Sequence, residues 1–450
     1  MYLKYCLLIL ALHQHFSDCF DPLAMMNVFE YINRDLDLLT IREGKVRTRW
    51  IKQELDHFDS KETRKWKMRY FERLDYWKSN GPIYLLIGGE SKASPNWTCT
   101  GIMRDLAKDT HGAMYVSEHR YYGESIPLKV ISTDNFKFLS SKQAIADIAK
   151  LIKTLKSLPQ YKMSKVVVIG DSYAGNLATW LKSLYPELVD VALASSAPLL
   201  RIREIFLGYD KLFQTSKGRD QLKKENNICE ETDLSLPENK QLFFSTKVSP
   251  FAFSSQYGTT GDIKDHCKNL TKNIVSQQLG FRKEPEGTTV ETCQTNNFIL
   301  NERLIRLNYT YSILPSWEYQ TCTEFGYFQT SSGVQPFTNN SPIEFFIKRC
   351  TELFGPKFNE HRVDNGVEQS NNLYGGLHPN VTKVIFTNGE IDPWSTLSIS
   401  EDISFDNPSV ILPKASHCRD LFPRKDDTEE IKQAREYIKS VINKWIDSSE

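Results

Sequence analysis

The amino-acid sequence predicts an α/β protein whose core is a mainly parallel β-sheet. Apolar runs of strand length, at residues 83–87, 113–116, 166–169 and 189–194, the last interrupted only by Asp190, are typical of strands covered on both faces. Segments with helical spacing separate these runs, and further apolar runs follow from residue 384 onward, after a long polar interruption. An alternation of strands and helices indicates parallel strands joined by crossover helices.

The composition is that of a globular protein of ordinary polarity. The chain has 450 residues, of which 40% are hydrophobic and 25% are charged. Lysine plus arginine and aspartate plus glutamate each number 56, so no excess charge favours nucleic acid or an anionic membrane as a partner. The length predicts one large domain that carries an insertion, or two domains.

The N-terminus has the features of a secretory signal peptide. Lys4 precedes an apolar run at residues 5–12 that is too short to span a bilayer. Cleavage after Cys19 would remove residues 1–19, and residues 20–48 are interpreted as a lead segment or propeptide. Because no later stretch is long and apolar enough to cross a membrane, we expect a mature chain that does not bind one.

Secretion changes the interpretation of the cysteines. Those beyond residue 19 are scattered and lack the spacing of a metal site, so disulfides are expected among Cys99, Cys229, Cys267, Cys293, Cys322, Cys350 and Cys418. Their odd number leaves one thiol that stays free, pairs between chains or pairs with Cys19. N-glycosylation is predicted at Asn96, Asn269, Asn308 and Asn380, with a weaker sequon at Asn339.

The first part of the predicted sheet alternates regularly with helices. The strand at 83–87 ends in Gly88-Gly89-Glu90, and a helical segment at 101–109 leads to the strand at 113–116. An amphipathic helix at 141–156 comes before the strand at 166–169, and residues 189–194 form the next strand. Ordered structure is expected to begin near Trp50.

A polar segment interrupts this alternation after Pro198. Residues 200–376 are rich in aromatic residues, Asn, Gln and Thr, and helical spacing without strand alternation predicts an inserted, mostly helical cap stapled by disulfides. Strands are expected again at 384–387 and 410–412, followed by an amphipathic helix at 428–446. The predicted boundaries are 49–200 and 377–450 for the sheet domain and 201–376 for the cap.

The strand at 166–169 runs into Gly170-Asp171-Ser172-Tyr173-Ala174-Gly175, and helical spacing follows at once. A sharp turn from strand to helix at a serine is the nucleophile elbow of α/β-hydrolases, although that motif ends in glycine where this chain has Ala174. The serine hydroxyl then lies at a helix N-terminus, which favours developing negative charge. The alternative is an ordinary tight turn with an unreactive serine.

Two further polar residues follow later strands. Asp392 and His417 come after the runs at 384–387 and 410–412, and the chain order Ser172, Asp392, His417 is the order that α/β-hydrolases use. His417 would take the serine proton and return it to the leaving group, while Asp392 would hold the imidazole tautomer. A turn at Asp392 and a surface role for His417 are the alternatives.

A tetrahedral oxyanion also needs fixed hydrogen-bond donors. We expect the main-chain N–H of Tyr173 to be one, and the loop that contains Gly89 and Glu90 to supply the second. His57 is interpreted as a structural histidine near a turn.

Five motifs in this order resemble the serine peptidase family of lysosomal prolyl carboxypeptidase, dipeptidyl peptidase II and thymus-specific serine protease. They are Gly88-Gly89-Glu90, Glu118-His119-Arg120-Tyr121-Tyr122-Gly123, the Ser172 elbow, Asn388-Gly389-Glu390-Ile391-Asp392-Pro393-Trp394 and Ala415-Ser416-His417. The resemblance implies an α/β-hydrolase domain with a helical domain inserted before the acid residue. It also implies the triad Ser172, Asp392 and His417, tolerance of Ala174, and a disulfide between Cys322 and Cys350.

Separately, we expect a Cys99–Cys418 disulfide, because both residues flank the predicted site. The substrate pocket is expected to contain Asn176 and Trp394. Prolyl carboxypeptidase carries a methionine where this chain has Asn176, so the resemblance implies a weaker preference for proline and a pocket closer to that of the thymus-specific branch. Trp394 could instead be a plain core residue.

The predicted function is that of a secreted or lysosomal serine exopeptidase acting on short peptides, as a dipeptidyl peptidase or a prolyl-type carboxypeptidase. The peptide end would be bound by Glu90, Glu118 or Arg120, unless these form a structural ion pair. The alternatives are an esterase or lipase and a catalytically silent secreted binding protein. No cofactor or metal is implied, and a homodimer is left open.

Overall fold

The computed structural model describes residues 46–128, 132–200, 219–220, 223, 228–258, 296–299, 301–302, 314–330 and 340–448. The described residues form two compact units. The first, called here the sheet unit, contains those up to residue 200 together with 314–327 and 357–448. The second, called here the helical unit, contains those from 219 to 302 and from 328 to 356. The predicted signal peptide and nearly all of the predicted lead segment lie outside the described residues.

The sheet unit contains an eight-stranded sheet in the order β1-β2-β4-β3-β5-β6-β7-β8. The strands are β1 Val46–Glu54, β2 Lys65–Arg73, β3 Ile83–Leu86, β4 Ala113–Ser117, β5 Val166–Asp171, β6 Val191–Ser195, β7 Val384–Gly389 and β8 Ser409–Leu412. β2 pairs antiparallel with β1 and with β4, and all the other pairs are parallel. The predicted α/β-hydrolase fold is confirmed.

Helices form the other main elements of both units. In the sheet unit they are α1 Ile102–Thr110, α2 Ser141–Lys156, α3 Ser172–Leu184, α5 Leu314–Gln320, α7 Glu360–Tyr374 and α8 Glu429–Asp447. In the helical unit they are α4 Pro237–Tyr257 and α6 Ile343–Phe354. A π-helical turn, Thr321–Phe325, continues α5.

The core lies around the central strands. Every residue of β3, β4, β6 and β7 is buried, as continuous apolar runs predict for strands covered on both faces. Helix α2 buries its apolar stripe, and its N-cap Ser140 accepts a hydrogen bond from the Gln143 N–H. Each fully buried Ile or Leu of such a stripe contributes roughly 1.5–3 kcal/mol of transfer free energy.

Ordered structure begins earlier than the sequence predicts. β1 starts at Val46, inside the predicted lead segment, and β2 was not predicted at all. Lys, Arg and Glu supply half of the residues of these two strands. β1 is an edge strand whose side chains are largely exposed, whereas β2 pairs on both sides and buries Trp66, Met68 and Phe71. Main-chain pairing between the two strands stabilises them as a two-stranded ribbon. Gln53 and Trp66, which face each other in this pairing, are buried.

The helical unit packs its own apolar cluster of Leu242, Phe298 and Phe345. Lys348 on α6 donates to Glu238 on α4 at 2.8 Å. None of the helices in the described part of the chain could cross a membrane.

The cysteines divide into bonded and free residues. Cys229, Cys322 and Cys350 are each disulfide-bonded, whereas Cys267 and Cys293 lie outside the described residues. Cys99 and Cys418 are free, so the predicted bond between them is wrong. The sulfur of Cys99 accepts a hydrogen bond from Arg73 Nη1 at 3.2 Å, and Cys418 is buried beside Ser196. Each cysteine lies near a motif of the predicted site, but a disulfide also requires a particular distance and orientation of the two side chains.

Candidate active site

The serine elbow joins β5 to α3. Ser172 has φ of +48°, in the left-handed region that only a tightly constrained turn imposes on serine. A Cβ at Gly170 would lie 2.0 Å from the Ala174 carbonyl oxygen, so this position requires glycine. The turn therefore holds the Ser172 side chain at the carboxyl end of β5 and at the N-terminus of a helix.

Asp392 and His417 form a buried pair in the loops that follow β7 and β8. His417 Nδ1 donates to Asp392 Oδ2 at 2.7 Å, and the Trp394 N–H donates to Asp392 Oδ1 at 2.9 Å. Because a carboxylate only accepts, the proton of a neutral His417 imidazole lies on Nδ1, and Nε2 can accept a proton. This is the tautomer that a general base requires.

Hydrogen bonds from neighbouring strands anchor the loop that carries His417. The carboxylate of Asp420 accepts from Ser195 Oγ and, at 2.7 Å, from Thr387 Oγ1. The Cys418 N–H donates to Ser196 Oγ at 3.0 Å. The ends of β6 and β7 thus determine where His417 lies, at the same sheet edge as the Ser172 elbow.

Two carboxyl groups shape the charge around His417. Burial raises the pKa of Asp171 to about 6 and that of Glu90 to about 7, while attraction to His417 opposes both shifts. Both side chains keep some exposed surface. Glu90 therefore lies within electrostatic reach of His417 and Asp171.

Glu118 and Arg120 have separate, structural partners. Glu118 accepts from Arg69 Nε at 3.1 Å, and Arg120 binds Asp147 through Nε and Nη2 at 2.6 and 2.9 Å. Both are completely buried. They do not pair with each other, and neither is placed to meet a peptide end. His57 donates to the same Asp147 at 2.7 Å, in the structural role that its sequence context predicts.

Asn176 and Trp394, the two predicted pocket residues, both contact Tyr327. Asn176, which lies one turn after Ser172 on α3, donates through Nδ2 to Pro198 O and Tyr327 Oη, at 3.1 Å each. The Tyr327 ring packs edge-on against Trp394 at 5.6 Å, and Trp394 lies 6.5 Å from the His417 ring. An aromatic wall therefore connects the imidazole to Asn176.

Sequence reasoning missed the contribution of α5 and its π-helical turn. Gln320 donates to Tyr173 Oη at 2.9 Å, and Phe325 packs against the Tyr173 ring. Cys322, in this turn, enters the sequence-based predictions only as a partner in an implied disulfide. No local pattern in this stretch indicates that Gln320 contacts Tyr173, which lies 147 residues earlier in the chain.

Comparison with known proteins identifies the family. The model of the serine carboxypeptidase S28 family matches residues 53–205 and 199–438. The chain belongs to this family. It is a serine peptidase, in agreement with the sequence-based prediction.

Curated relatives share most of the chain length. The thymus-specific serine protease of Mus musculus is 29% identical over 88% of this chain and 87% of its own length. The lysosomal Pro-X carboxypeptidase of Bos taurus is 27% identical over 84% of this chain and 83% of its own. Among solved structures, a proline iminopeptidase of Mycobacterium smegmatis matches with a TM-score of 0.38 and 12% identity, over 89% of this chain and 99% of that one.

Proposed function

We propose that this peptidase is an exopeptidase that cleaves short peptides through Ser172, His417 and Asp392. The observation that carries the proposal is the 2.7 Å bond from His417 Nδ1 to Asp392, on the same sheet edge as a serine in a left-handed elbow. Ser172 Oγ attacks the scissile carbonyl carbon and its proton passes to His417 Nε2. The same proton then goes to the leaving nitrogen, and water hydrolyses the acyl-enzyme by the reverse sequence.

The oxyanion would be bound by main-chain donors from two segments. Tyr173 follows the nucleophile at the start of α3, and the loop with Gly89 and Glu90 packs against it. A Cβ built on Gly89 would lie 3.4 Å from the Ala174 Cβ, which supports the close approach of the two segments. Each such donor typically lowers the barrier by about 3–4 kcal/mol.

Asn176 and Trp394 would line the pocket for the residue that precedes the scissile bond. Pro198 O can only accept, so the bond from Asn176 Nδ2 determines the orientation of the amide. Asn176 Oδ1 is then a buried acceptor with no partner among the described residues. Because Asn176 is completely buried, it would act on a bound residue through Tyr327, which lies between it and Trp394. A polar amide behind this wall, where prolyl carboxypeptidase carries methionine, supports a preference for residues other than proline. Asn176→Met should raise the relative rate on prolyl substrates.

Glu90 is the candidate for binding a peptide amine. A dipeptidyl peptidase needs a carboxylate for that amine, and a carboxypeptidase needs a cation for the terminal carboxylate. Arg120 is committed to Asp147, whereas Glu90 faces the site and would gain a counter-charge from an ammonium group. These contacts favour the dipeptidyl peptidase activity over the carboxypeptidase activity.

A secreted or lysosomal location belongs to the same proposal. Disulfide-bonded Cys229, Cys322 and Cys350 support an oxidising compartment, and one relative is named as lysosomal. Asn380 is exposed and suited to glycosylation, whereas Asn96 is buried. Residues 1–19 would be the signal peptide.

Mass-spectrometric profiling of cleaved peptides tests the proposal. We expect removal of dipeptides from free N-termini, and labelling by a fluorophosphonate that Ser172→Ala abolishes and the exposed-serine control Ser400→Ala leaves intact. Release of single C-terminal residues would instead identify a carboxypeptidase. Hydrolysis of short acyl esters without peptide cleavage would identify an esterase, and a wild type that resists labelling from pH 4 to 8 would indicate a silent protein.

A further inference from the structure

We propose that a buried chain of hydrogen bonds through Tyr122, Gln320, Tyr173 and His119 positions the main-chain N–H of Tyr173 for oxyanion binding. This inference rests on the proposed function, because it assigns a purpose to the side chain of the residue that would donate that N–H. The four side chains come from three segments of the sheet unit, with His119 and Tyr122 in the loop after β4, Tyr173 at the start of α3 and Gln320 at the end of α5. Each is at most 4% exposed. Gln320, Tyr122 and His119 would thus be positioning residues.

His119 determines the direction of the first bond. Its Nδ1 lies 2.7 Å from the main-chain oxygen of Arg120, which can only accept, so Nδ1 carries a proton. Burial lowers the pKa of His119 to about 4, which keeps the ring neutral at higher pH. Nε2 is therefore an acceptor, and the Tyr173 hydroxyl donates to it at 3.0 Å.

The remaining bonds follow from this first one. Having donated its proton, the Tyr173 oxygen accepts from Gln320 Nε2 at 2.9 Å. The Gln320 amide is thereby oriented, and its Oε1 accepts from the Tyr122 hydroxyl at 2.6 Å. Every donor in the chain faces an acceptor, so only one arrangement of protons and one orientation of the amide satisfy all four groups.

The chain holds the Tyr173 ring at its far end, and packing holds it along its length. The rings of Trp317 and Phe325 lie 5.8 and 5.2 Å from it. On its near side, a Cβ built on Gly89 would lie 3.9 Å from Tyr173 Cδ1. The Tyr173 ring therefore lies against the Gly89 loop, and fixing its far end restrains the main chain at the start of α3, which carries the Tyr173 N–H. A displaced ring would shift that main chain and the Gly89 loop together.

Steady-state kinetics on a cleaved peptide test the inference. Tyr173→Phe and Gln320→Met remove hydrogen bonds but preserve volume, and we expect each to lower kcat at least tenfold with KM within twofold of wild type. Their rates of fluorophosphonate labelling should fall in parallel. The double variant should be no worse than the poorer single variant, because both substitutions break the same chain.

Ser316→Ala is the matched control. It removes a buried hydrogen bond from the same helix, to Tyr121 O at 3.3 Å, without touching the chain, and kcat should stay unchanged. Folded Tyr173→Phe and Gln320→Met proteins with wild-type kcat would overturn the inference alone. An equal loss of kcat in Ser316→Ala would also overturn the inference, because it would indicate a general effect of weakening the packing of α5. A wild type that neither reacts with the probe nor cleaves peptides would overturn the proposed function and this inference together.

Discussion

Replacement of Arg120 by leucine should be among the most destabilising single changes in the sheet unit. The guanidinium is completely buried and donates to both oxygens of Asp147. Its Nη1 also donates to the carbonyl oxygens of Leu55 and Phe138 at 3.1 and 2.8 Å. These bonds join the start of the fold, the motif after β4 and helix α2.

The expected loss follows from the groups left behind. An uncompensated buried carboxylate costs about 3–5 kcal/mol, and each carbonyl left unpaired adds about 1 kcal/mol. The bond from His57 to Asp147, at 2.7 Å, offsets part of this. We therefore expect Arg120→Leu to lower the free energy of unfolding by about 5 kcal/mol. Arg120→Leu combined with Asp147→Leu removes both charges and should recover more than half of that loss.

Urea unfolding followed by circular dichroism measures these differences. Arg64→Leu is the control, because Arg64 binds Glu62 through two nitrogens at 2.8 and 2.6 Å but is exposed. Since water screens an exposed ion pair, its removal should change the urea midpoint little. A loss in Arg120→Leu no larger than in Arg64→Leu would refute the reasoning. So would a double variant as unstable as the sum of the two single variants.

Three further predictions concern charge and modification. Asp171→Asn should leave kcat unchanged at pH 5 but lower it several-fold at pH 8. The pKa of Asp171 is raised to about 6, and only its ionised form stabilises a His417 imidazolium. Equal losses of kcat at both pH values would contradict this. Burial raises the pKa of Glu324 from 4.5 to about 7, so between these pH values the native state keeps a proton that the unfolded chain has lost. The free energy of unfolding therefore falls as pH rises from 4.5 through 7, by at most about 3 kcal/mol. Glu324→Gln should flatten the difference in urea midpoint between pH 5 and pH 8, and an unchanged slope would refute that assignment. On secretion from animal cells, Asn380→Gln should abolish one glycosidase-sensitive mobility shift whereas Asn96→Gln should abolish none, because only Asn380 is exposed; the reverse pattern would contradict the burial argument.

The central strands and the loops that follow them could be predicted from sequence, because burial on both faces requires continuous apolar runs. The elbow could also be predicted, because its geometry requires a particular residue. The close approach of the Ala174 carbonyl oxygen excludes a side chain at position 170, so the sequence has glycine there. β1 escaped prediction because its side chains are largely exposed, so its sequence shows no apolar periodicity. β2 buries Trp66, Met68 and Phe71, but the charged residues between them mask this alternation.

The interactions of Gln320 and Tyr327 could not be predicted, because they depend on contacts between distant parts of the chain. Gln320 and Tyr173 are 147 residues apart, and Asn176 and Tyr327 are 151 apart. No local pattern specifies such pairs. The wrong Cys99–Cys418 bond has the same origin, since a shared neighbourhood was inferred from motifs without the Cβ geometry that a disulfide requires.

The edge strand β1 carries its own protection against association. An edge exposes main-chain groups to which a strand of another molecule could add. Arg47, Arg49 and Lys52 are exposed cationic side chains on this strand, and Glu72 on β2 pairs with both arginines. A second copy approaching this strand edge to edge would bring like charges together, which disfavours extension of the sheet through β1.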